Sequence, residues 1–319
     1  MITQPTKTVL FRMNGVANAF MRELGCKNCP QCSPQKPRAN TSASLIIKSD
    51  WARHRQTEYH LLFDCGHGVV DSLIDFGVDY VTHVFLSHNH SDHTMGLGRL
   101  NATQRRSGGQ TLSALYATQG TWDAGPSNIW PWLEEYLQVV RAEQPLELDL
   151  GVGLRVTPIA VYHGQFAPQP VIWVVEFGSA ADNSYHKLVL GWDMLHLIPR
   201  YAAEDADAHY NGEISPHAAL IPQHAALLAN ADELFLEANT LTPQPQTGHT
   251  SVQAALRFHI PAMQPRRAWF VHYSGHEDPQ GPLSDDGLDS WIATHQANYG
   301  LGATPIALAR HGMTLAFVV

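Results

Sequence analysis

The sequence predicts an α/β protein in which short strands alternate with helices along a chain of 319 residues. Short β-branched and apolar runs are typical of buried strands, and segments with helical periodicity separate them. The chain has no repeat at solenoid spacing and no linker-like tract, and its apolar runs are too short to cross a bilayer. Pattern alone leaves open whether the strands form two sheets with helices outside or a single α/β layer.

Strands are predicted in both halves of the chain. In order, they are Thr8–Met13, Ser44–Lys48, Tyr59–Asp64, His83–Ser87, Leu115–Thr118, Arg155–Tyr162, Val171–Phe177, Lys187–Trp192, Glu233–Glu237, Arg267–His272 and Thr314–Val319. Helical periodicity predicts helices over Val69–Phe76, Trp132–Arg141, Pro216–Ala229 and Val252–Phe258. Thr250 and Gln253 have the spacing of a capping box, so we expect the last helix to begin there, with His249 just outside it.

Charge and residue counts restrict the class of partner. The formal net charge of −9 argues against a nucleic-acid partner, because affinity for polyanions comes mainly from Lys and Arg. A small phosphorylated substrate is compatible with this charge if bound cations neutralise it. The N-terminus lacks the features of a secretory signal, so we expect a cytoplasmic protein without membrane association. The 19 histidines and 4 cysteines favour metal binding over disulfides. Homodimer formation is left open.

The strongest functional signal comes at the end of the predicted strand His83–Ser87. Three histidines and one aspartate lie within six residues, as His88-x-His90-x-Asp92-His93. Alternate positions past a strand end place two imidazoles on one side, and the next turn brings the carboxylate and the last imidazole round. These ligand types suit zinc, iron or manganese, and a hydrolytic site keeps one position open for water. A His-rich polar loop without metal is the alternative.

This motif resembles the His-x-His-x-Asp-His signature of the metallo-β-lactamase superfamily, whose further ligands have counterparts in order along the chain. His163 resembles the third ligand of the first site, Asp193 the aspartate that bridges two metals, and His272 the last ligand. Asp64 resembles the strand-end aspartate that supports the site without binding metal. The resemblance spans nearly the whole chain and implies one domain, 1–319, folded as a four-layer αββα sandwich.

The resemblance also implies an active site with two divalent metals, which would be zinc, manganese or iron. The first metal would be bound by His88, His90 and His163, the second by Asp92, His93 and His272, and both by Asp193. A hydroxide between the two cations would attack the substrate, with Asp92 and Asp193 as catalytic residues. His276 is a candidate general acid because it lies near His272, and a solvated loop histidine is the alternative.

A structural metal site is predicted in a cysteine-rich loop at about 25–33. Three cysteines at two-residue spacing form it: Cys26, Cys29 and Cys32. Clustered thiolates suit a tetrahedral zinc, which needs a fourth ligand, either Cys65 or a histidine. The loop resembles that of the cyclic-phosphate phosphodiesterases of phosphonate breakdown and of the pyrroloquinoline quinone biosynthesis B proteins. In both, a histidine ahead of the late helix completes the zinc site, so His249 is the expected ligand here.

Together these features predict metal-dependent hydrolysis of a small phosphodiester or cyclic phosphate. One departure concerns the strand Leu234–Leu236, after which related phosphodiesterases have a histidine; this chain has Glu237-Ala238-Asn239 instead. Alternatives are a lactone or thioester hydrolase with the same ligands and a mononuclear-iron oxygenase of the superfamily. A non-catalytic, zinc-stabilised carrier or cofactor-biosynthesis protein is a further alternative, although the intact histidine motif favours catalysis.

Overall fold

The strands form two sheets that pack face to face. The structure, a computed structural model, describes residues 7–319 except 23, 27–29, 31, 33–37, 50–56, 109–111, 165, 180–183, 196, 198–221, 245–246, 275, 277, 279–280 and 283. In chain order the strands are β1 (Lys7–Gly15), β2 (Ser42–Ser49), β3 (Thr57–Phe63), β4 (His83–Phe85), β5 (Ala114–Thr118), β6 (Leu137–Val140), β7 (Leu146–Leu148), β8 (Leu154–Ala160), β9 (Val171–Ser179), β10 (Ser184–Gly191), β11 (Glu233–Glu237), β12 (Ala268–Val271), β13 (Ile306–Leu308) and β14 (Thr314–Val318).

Each sheet combines an antiparallel half with a parallel half. Over the described residues, the strand order is β14-β1-β2-β3-β4-β5-β6 in the first sheet and β13-β12-β11-β10-β9-β8-β7 in the second. Strands β3 to β6 are parallel, as are β10 to β13. Strand β8 also runs in the direction of β10, since both are antiparallel to β9. Parallel strands end at the same edge of a sheet, so the loops that follow them collect there.

Helices cover the outer faces of the two sheets. They are α1 (Val69–Phe76), α2 (Ser91–Thr94), α3 (Leu97–Gly108), α4 (Gln119–Asp123), α5 (Pro126–Ile129), α6 (Pro222–Leu228), α7 (Val252–Ala254), α8 (Ile260–Met263) and α9 (Asp285–His295). A π-helical turn, Ala255–His259, joins α7 to α8, and 3₁₀ turns follow α5 and α9 at Pro131–Tyr136 and Gln296–Tyr299. Among the described residues, each helix is too short or too polar to span a bilayer.

The apolar core has three layers, which produces the predicted αββα sandwich. Aromatic rings from the two sheets meet between them: Phe85 packs edge-on against Trp173, and Phe11 packs against Phe235. A second layer packs α1 and α3 on the first sheet, and a third packs α7, α8 and α9 on the second. Burying one such large apolar side chain contributes about 1.5–3 kcal/mol. The four-layer fold class predicted from the sequence is confirmed.

Two predicted elements differ from the structure. The helix predicted over Trp132–Arg141 is wrong, because this segment forms a 3₁₀ turn and then β6, which pairs parallel with β5 from Leu115 to Thr118. Pairing with a neighbouring strand overrides a weak helical periodicity. The late helix is capped by Ser251, whose Oγ accepts from the backbone N of Ala254 at 3.1 Å, and not by Thr250. Part of the predicted helix Pro216–Ala229 lies outside the described residues.

Candidate metal centre and active site

The strand ends carry the predicted ligands to one edge between the two sheets. They place Asp64 after β3, His88 after β4, His163 after β8, Asp193 after β10, Glu237 at the end of β11 and His272 after β12. The turn from β4 into α2 adds His90, and α2 itself adds Asp92 and His93. All these side chains are buried except that of His90, which is half-buried. The seven ligands predicted for the active site are therefore brought together.

Three imidazoles form the first group of candidate ligands, His88, His90 and His163. One ring nitrogen from each lies within 4.8 Å of the others, and Nε2 of His163 is 3.2 Å from Nδ1 of His90. Two imidazole nitrogens bound to one tetrahedral zinc ion are about 3.3 Å apart, given zinc–nitrogen distances of about 2.0–2.1 Å. The observed separation therefore fits two ligands of one ion.

Hydrogen bonds on the far side of these rings determine which nitrogen faces the group. Nδ1 of His163 donates to the carbonyl oxygen of Gly248 at 2.9 Å. Nδ1 of His88 lies 2.9 Å from Oγ of Ser87, which itself donates to Asp64 at 2.6 Å, so the hydroxyl accepts from the imidazole. Burial lowers the pKa of His163 to about 4, so the ring is neutral at pH 7. Both rings thus present an unprotonated Nε2, the form that binds metal.

The second group consists of Asp92, His93, Asp193 and His272, with one ligand atom of each within 4.8 Å of the others. Nε2 of His93 lies 2.8 Å from Oδ2 of Asp193, and Nε2 of His272 lies 3.3 Å from Oδ1. The same Oδ1 is 3.7 Å from Nε2 of His163 in the first group. Asp193 therefore reaches both groups, as a bridging carboxylate must.

Asp64 holds the ligand-bearing loop without entering either group. Its buried carboxylate accepts hydrogen bonds from the backbone N of Ser87 at 2.8 Å, from Nδ1 of His93 at 2.8 Å and from Nε1 of Trp192 at 2.6 Å. The bond to Nδ1 orients the imidazole so that Nε2 of His93 faces Asp193. These are the contacts that the predicted supporting function of Asp64 requires.

Three residues of the site have strained backbone conformations. Asp64, Asp193 and His272 have φ values of 58°, 55° and 65°, in the left-handed region that non-glycine residues seldom adopt. Such conformations cost about 1–3 kcal/mol each and persist only where the surroundings enforce them. Here each one turns the chain sharply after a strand, which brings the side chain into the edge between the sheets.

The buried polar atoms at the centre of the site fit cations better than they fit one another. Among the described residues, hydrogen-bond partners are missing for Nε2 of His88, Nε2 of His93, Oδ2 of Asp193 and both ring nitrogens of His272. The close approach of His93 to Asp193 thus lacks hydrogen-bond geometry. Each unpaired buried group costs about 1–3 kcal/mol, a cost that a coordinated ion removes. Imidazoles with carboxylates suit zinc, manganese or iron.

Charge balance leads to the same conclusion. Burial alone would lower the pKa of His272, but Asp193 and the other nearby carboxylates raise it to about 10. In the same way, burial would lower the pKa of His93, and Asp193, Asp92 and Asp64 raise it well above its usual value. The buried carboxylates therefore attract positive charge, as protons when no cation is bound. Divalent ions would supply that charge and displace those protons.

His249 and Glu237 lie beside the second group. The sequence analysis did not predict this position for either residue. Nδ1 of His249 and Oε1 of Glu237 are within hydrogen-bond distance. The ring centroid of His249 is 4.7 Å from that of His163 and 5.2 Å from that of His272. The prediction that His249 completes the cysteine site is therefore wrong. The turn before α7 is tied to the active site instead, because the carbonyl of Gly248 accepts from His163.

The pairing of His249 with Glu237 fixes the orientation of the imidazole. The carboxylate of Glu237 is buried and accepts from the backbone N of Met194 through Oε2 at 2.6 Å. Burial would lower the pKa of His249, but the charge of Glu237 raises it above its ordinary value. The sequence did carry a signal for Glu237, since it ends a predicted strand as Asp64 and His272 do. Glu237 and His249 form a cluster with Asp193 and His272, and this cluster also has the composition of a metal site.

Comparison with known proteins decides the family. The family model of the β-lactamase superfamily domain matches residues 59–273, which carry the whole candidate centre. The chain belongs to the metallo-β-lactamase superfamily. Ribonuclease Z from Pyrobaculum neutrophilum is 38% identical over 77 residues, which are 24% of this chain and 25% of that protein. The match thus spans a quarter of the length of this curated relative.

Two solved structures share the metallo-β-lactamase fold over almost their full length. A diphosphatase from the PhnP family superimposes with a TM-score of 0.64 and 17% identity, covering 98% of this chain and 98% of its own. Zinc-bound PqqB from Methylobacterium extorquens has a TM-score of 0.61 and 18% identity, covering 96% and 99%. At such identities the likeness establishes the fold alone.

A second cluster of candidate ligands shares no residue with the two groups described above and contains Cys26, Cys32 and His276. Nε2 of His276 is 3.9 Å from Sγ of Cys26 and 3.5 Å from Sγ of Cys32. Sulfur and nitrogen ligands of one tetrahedral zinc ion are about 3.6 Å apart, from zinc–ligand distances of about 2.3 and 2.0–2.1 Å. The distances fit a structural zinc site. Cys29, the third predicted thiolate, lies outside the described residues.

The position of His276 does not support its predicted function as a general acid. The residue lies only four positions after His272 in the sequence, but its ring contacts Cys26 and Cys32. Cys65, the other predicted candidate for a fourth ligand, is buried in the layer beneath α1 and α3. The sequence-based prediction therefore exchanged the positions of the two histidines. In the structure His276 contacts the cysteines, and His249 contacts Glu237.

We expect the purified protein to bind three metal ions per chain, one of them in the cysteine cluster. Cys26→Ser and His276→Ala should each lose one ion, because a tetrahedral site with three ligands left binds zinc much more weakly. His249→Ala should lose none. Metal content measured by mass spectrometry tests this, with Cys65→Ser as the matched control that retains all three. Loss of an ion in His249→Ala but not in His276→Ala would restore the original assignment.

Proposed function

We propose that this protein is a dinuclear metal-dependent hydrolase of a small phosphodiester or cyclic phosphate. The observation that carries the proposal is the convergence of two ligand groups on one carboxylate, that of Asp193. The first ion would be held by His88, His90 and His163, the second by Asp92, His93 and His272, and both by Asp193. When bound, such ions lower the pKa of water and stabilise negative charge on phosphoryl oxygens.

The protein's own side chains supply orientation and proton transfer. Oδ2 of Asp92 lies 3.3 Å from His93 and 3.5 Å from His272, which leaves Oδ1 to accept a hydrogen bond from the attacking water. His249 is the candidate proton donor to the leaving oxygen, since its side chain lies beside both ligand groups and is partly exposed while Glu237 holds Nδ1. Nε2 of His249 then carries the proton that is transferred.

Two features favour a small phosphate ester over the other substrates considered. Ribonuclease Z and the diphosphatase of the PhnP family both act on phosphorus–oxygen bonds, as their names state. The net charge of −9 disfavours a long polyanion, because broad phosphate contacts require many basic residues. The complete set of seven ligands also favours catalysis over a carrier function. We further propose zinc, manganese or iron as the metals, and a cytoplasmic location.

Hydrolysis of bis(p-nitrophenyl) phosphate tests the proposal directly. Protein stripped with a chelator should be inactive, and activity should return with one equivalent of zinc for the cysteine cluster and two of zinc or manganese for the active site, since the latter ions supply the positive charge that the transition state needs. Release of p-nitrophenolate measures the rate. If the reloaded protein cleaves a lactone or a thioester but no phosphodiester, the substrate class is wrong. If none of the three is cleaved, the carrier function is the better description.

A further inference from the structure

A large cleft opens beside the first ligand group. It has a volume of about 780 Å³ and lies between the ends of β5 and β6 and the loop from β8 to β9. Ligand sites for small molecules occupy about 300–1,000 Å³, whereas a phosphoryl group with its two ions needs only a small part of that space. The cleft therefore provides room for an organic group many times larger than the reacting phosphate.

The cleft shares a wall with the metal centre. His163 and Gly164 line it, and the ring of His163 also faces His90 and His249 at centroid distances of 4.9 and 4.7 Å. A substrate whose phosphate lies at the ligand groups would extend past His163 into the cleft. The cleft is thus placed to bind one ester substituent of that substrate, and such a contact fixes the position of the phosphate as well.

The lining of the cleft indicates which kind of substituent fits. Apolar side chains form most of it, among them Val139, Val140, Ala160, Val161, Ala167 and Val171. None of the described lining residues is acidic, and Arg141 supplies one positive charge at the end of β6. Apolar walls favour a ring system, and the guanidinium favours an anionic or hydrogen-bonding edge on that ring.

One strained residue holds polar groups in place at this cleft. Gln169 has a φ of 52°, and its carbonyl oxygen accepts from Oγ1 of Thr118 at 2.8 Å. Its Oε1 accepts from the backbone N of Gly120 at 2.9 Å, so its side-chain NH₂ is the group left to donate to a ligand. Strain of this kind is maintained only where the surroundings enforce it, and it concentrates at binding sites.

We propose that this cleft binds one ester arm of the substrate, an aromatic or heterocyclic group of nucleoside size with a polar or anionic edge directed to Arg141. The proposal rests on the phosphodiester hydrolysis proposed above and narrows its substrate class. A cyclic phosphate without a large substituent would leave the cleft unfilled. The substrate is therefore a phosphodiester with one bulky ring-bearing arm.

Two substrates with the same leaving group separate the cleft from the metal chemistry. Methyl p-nitrophenyl phosphate has an arm too small to reach the cleft, and thymidine 5′-(p-nitrophenyl phosphate) has an arm of the expected size. We expect kcat/KM for the thymidine ester to exceed that for the methyl ester at least about tenfold, because binding of a remote group lowers the barrier at the reacting centre. Thymidine 5′-monophosphate should also bind, as measured by calorimetric titration.

Filling the cleft should remove that preference. In Ala160→Phe, the new ring occupies the cleft from the end of β8, so the ratio of the two kcat/KM values should fall toward one and the nucleotide should bind about tenfold more weakly. Arg141→Gln should weaken nucleotide binding as well. Ala307→Phe is the matched control, since Ala307 lies half-buried in β13 of the same sheet and outside the cleft. It should leave both the preference and the binding unchanged.

The outcomes distinguish this proposal from the function on which it rests. Turnover of both esters without a preference, together with no effect of Ala160→Phe on nucleotide binding, would overturn the cleft proposal and keep the hydrolase. Binding of the nucleotide that Ala160→Phe weakens, without turnover of either ester, would overturn the hydrolase and keep the cleft as a ligand site.

Discussion

Asp193→Asn should lower kcat/KM for bis(p-nitrophenyl) phosphate by about 10³-fold or more, in line with the loss of a principal electrostatic contact in a transition state. An amide retains the shape of the side chain but loses the charge and the second anionic oxygen through which Asp193 contacts both ligand groups. Asparagine suits position 193 better than alanine does, because the residue there has a φ of 55°, a conformation that asparagine tolerates well.

Three measurements on Asp193→Asn distinguish loss of the centre from loss of the fold. Metal content should fall by at least one ion per chain, whereas the circular dichroism spectrum should match that of the wild type. His186→Ala is the control on the strand that leads to Asp193: it lies in β10, seven residues before Asp193, and packs against Phe177 and Phe317. It should retain full activity. Asp193→Asn with wild-type activity and metal content would rule out a bridging carboxylate.

His249→Ala should slow substrates with poor leaving groups by about 10²- to 10⁴-fold, the usual contribution of general acid catalysis. The p-nitrophenolate of bis(p-nitrophenyl) phosphate departs without a proton, so its release should slow by no more than about tenfold. A ribonucleoside 2′,3′-cyclic phosphate has an alkoxide as leaving group and should show the full loss. The ratio of the two rate losses measures proton donation, because a purely structural change would slow both substrates to a similar extent.

Glu237→Gln offers an independent check on the same pair. Glutamine retains the contact with the backbone N of Met194 but no longer stabilises a protonated His249, so it should show a smaller loss with the same substrate selectivity. If His249→Ala slows both substrates equally and also releases a metal ion, His249 is a ligand and not a proton donor. If neither substrate is affected, the pair has no function in catalysis.

The fold class was predicted from the sequence through the family signature, and the same signature predicted which side chains the structure brings together at one edge. The motif from His88 to His93 is local, and strand ends are readable from short apolar runs, so the order of the later candidates could be matched to the family signature. Their convergence follows from topology, because parallel strands of both sheets end at the same edge. The strand ends that carry Asp64, Asp193 and His272 were thus correctly placed from pattern.

What the tertiary structure decided is which site each isolated histidine joins. His249 and His276 both lie in loops, where no periodicity restricts the direction of a side chain, and both are spaced suitably for either metal site. Only the folded chain shows that the carbonyl oxygen of Gly248 accepts a hydrogen bond from His163 and that His276 lies beside Cys32. The strand β6 and the cleft next to it could not be predicted from the sequence either, because edge pairing and cavity shape depend on contacts between segments far apart in the chain.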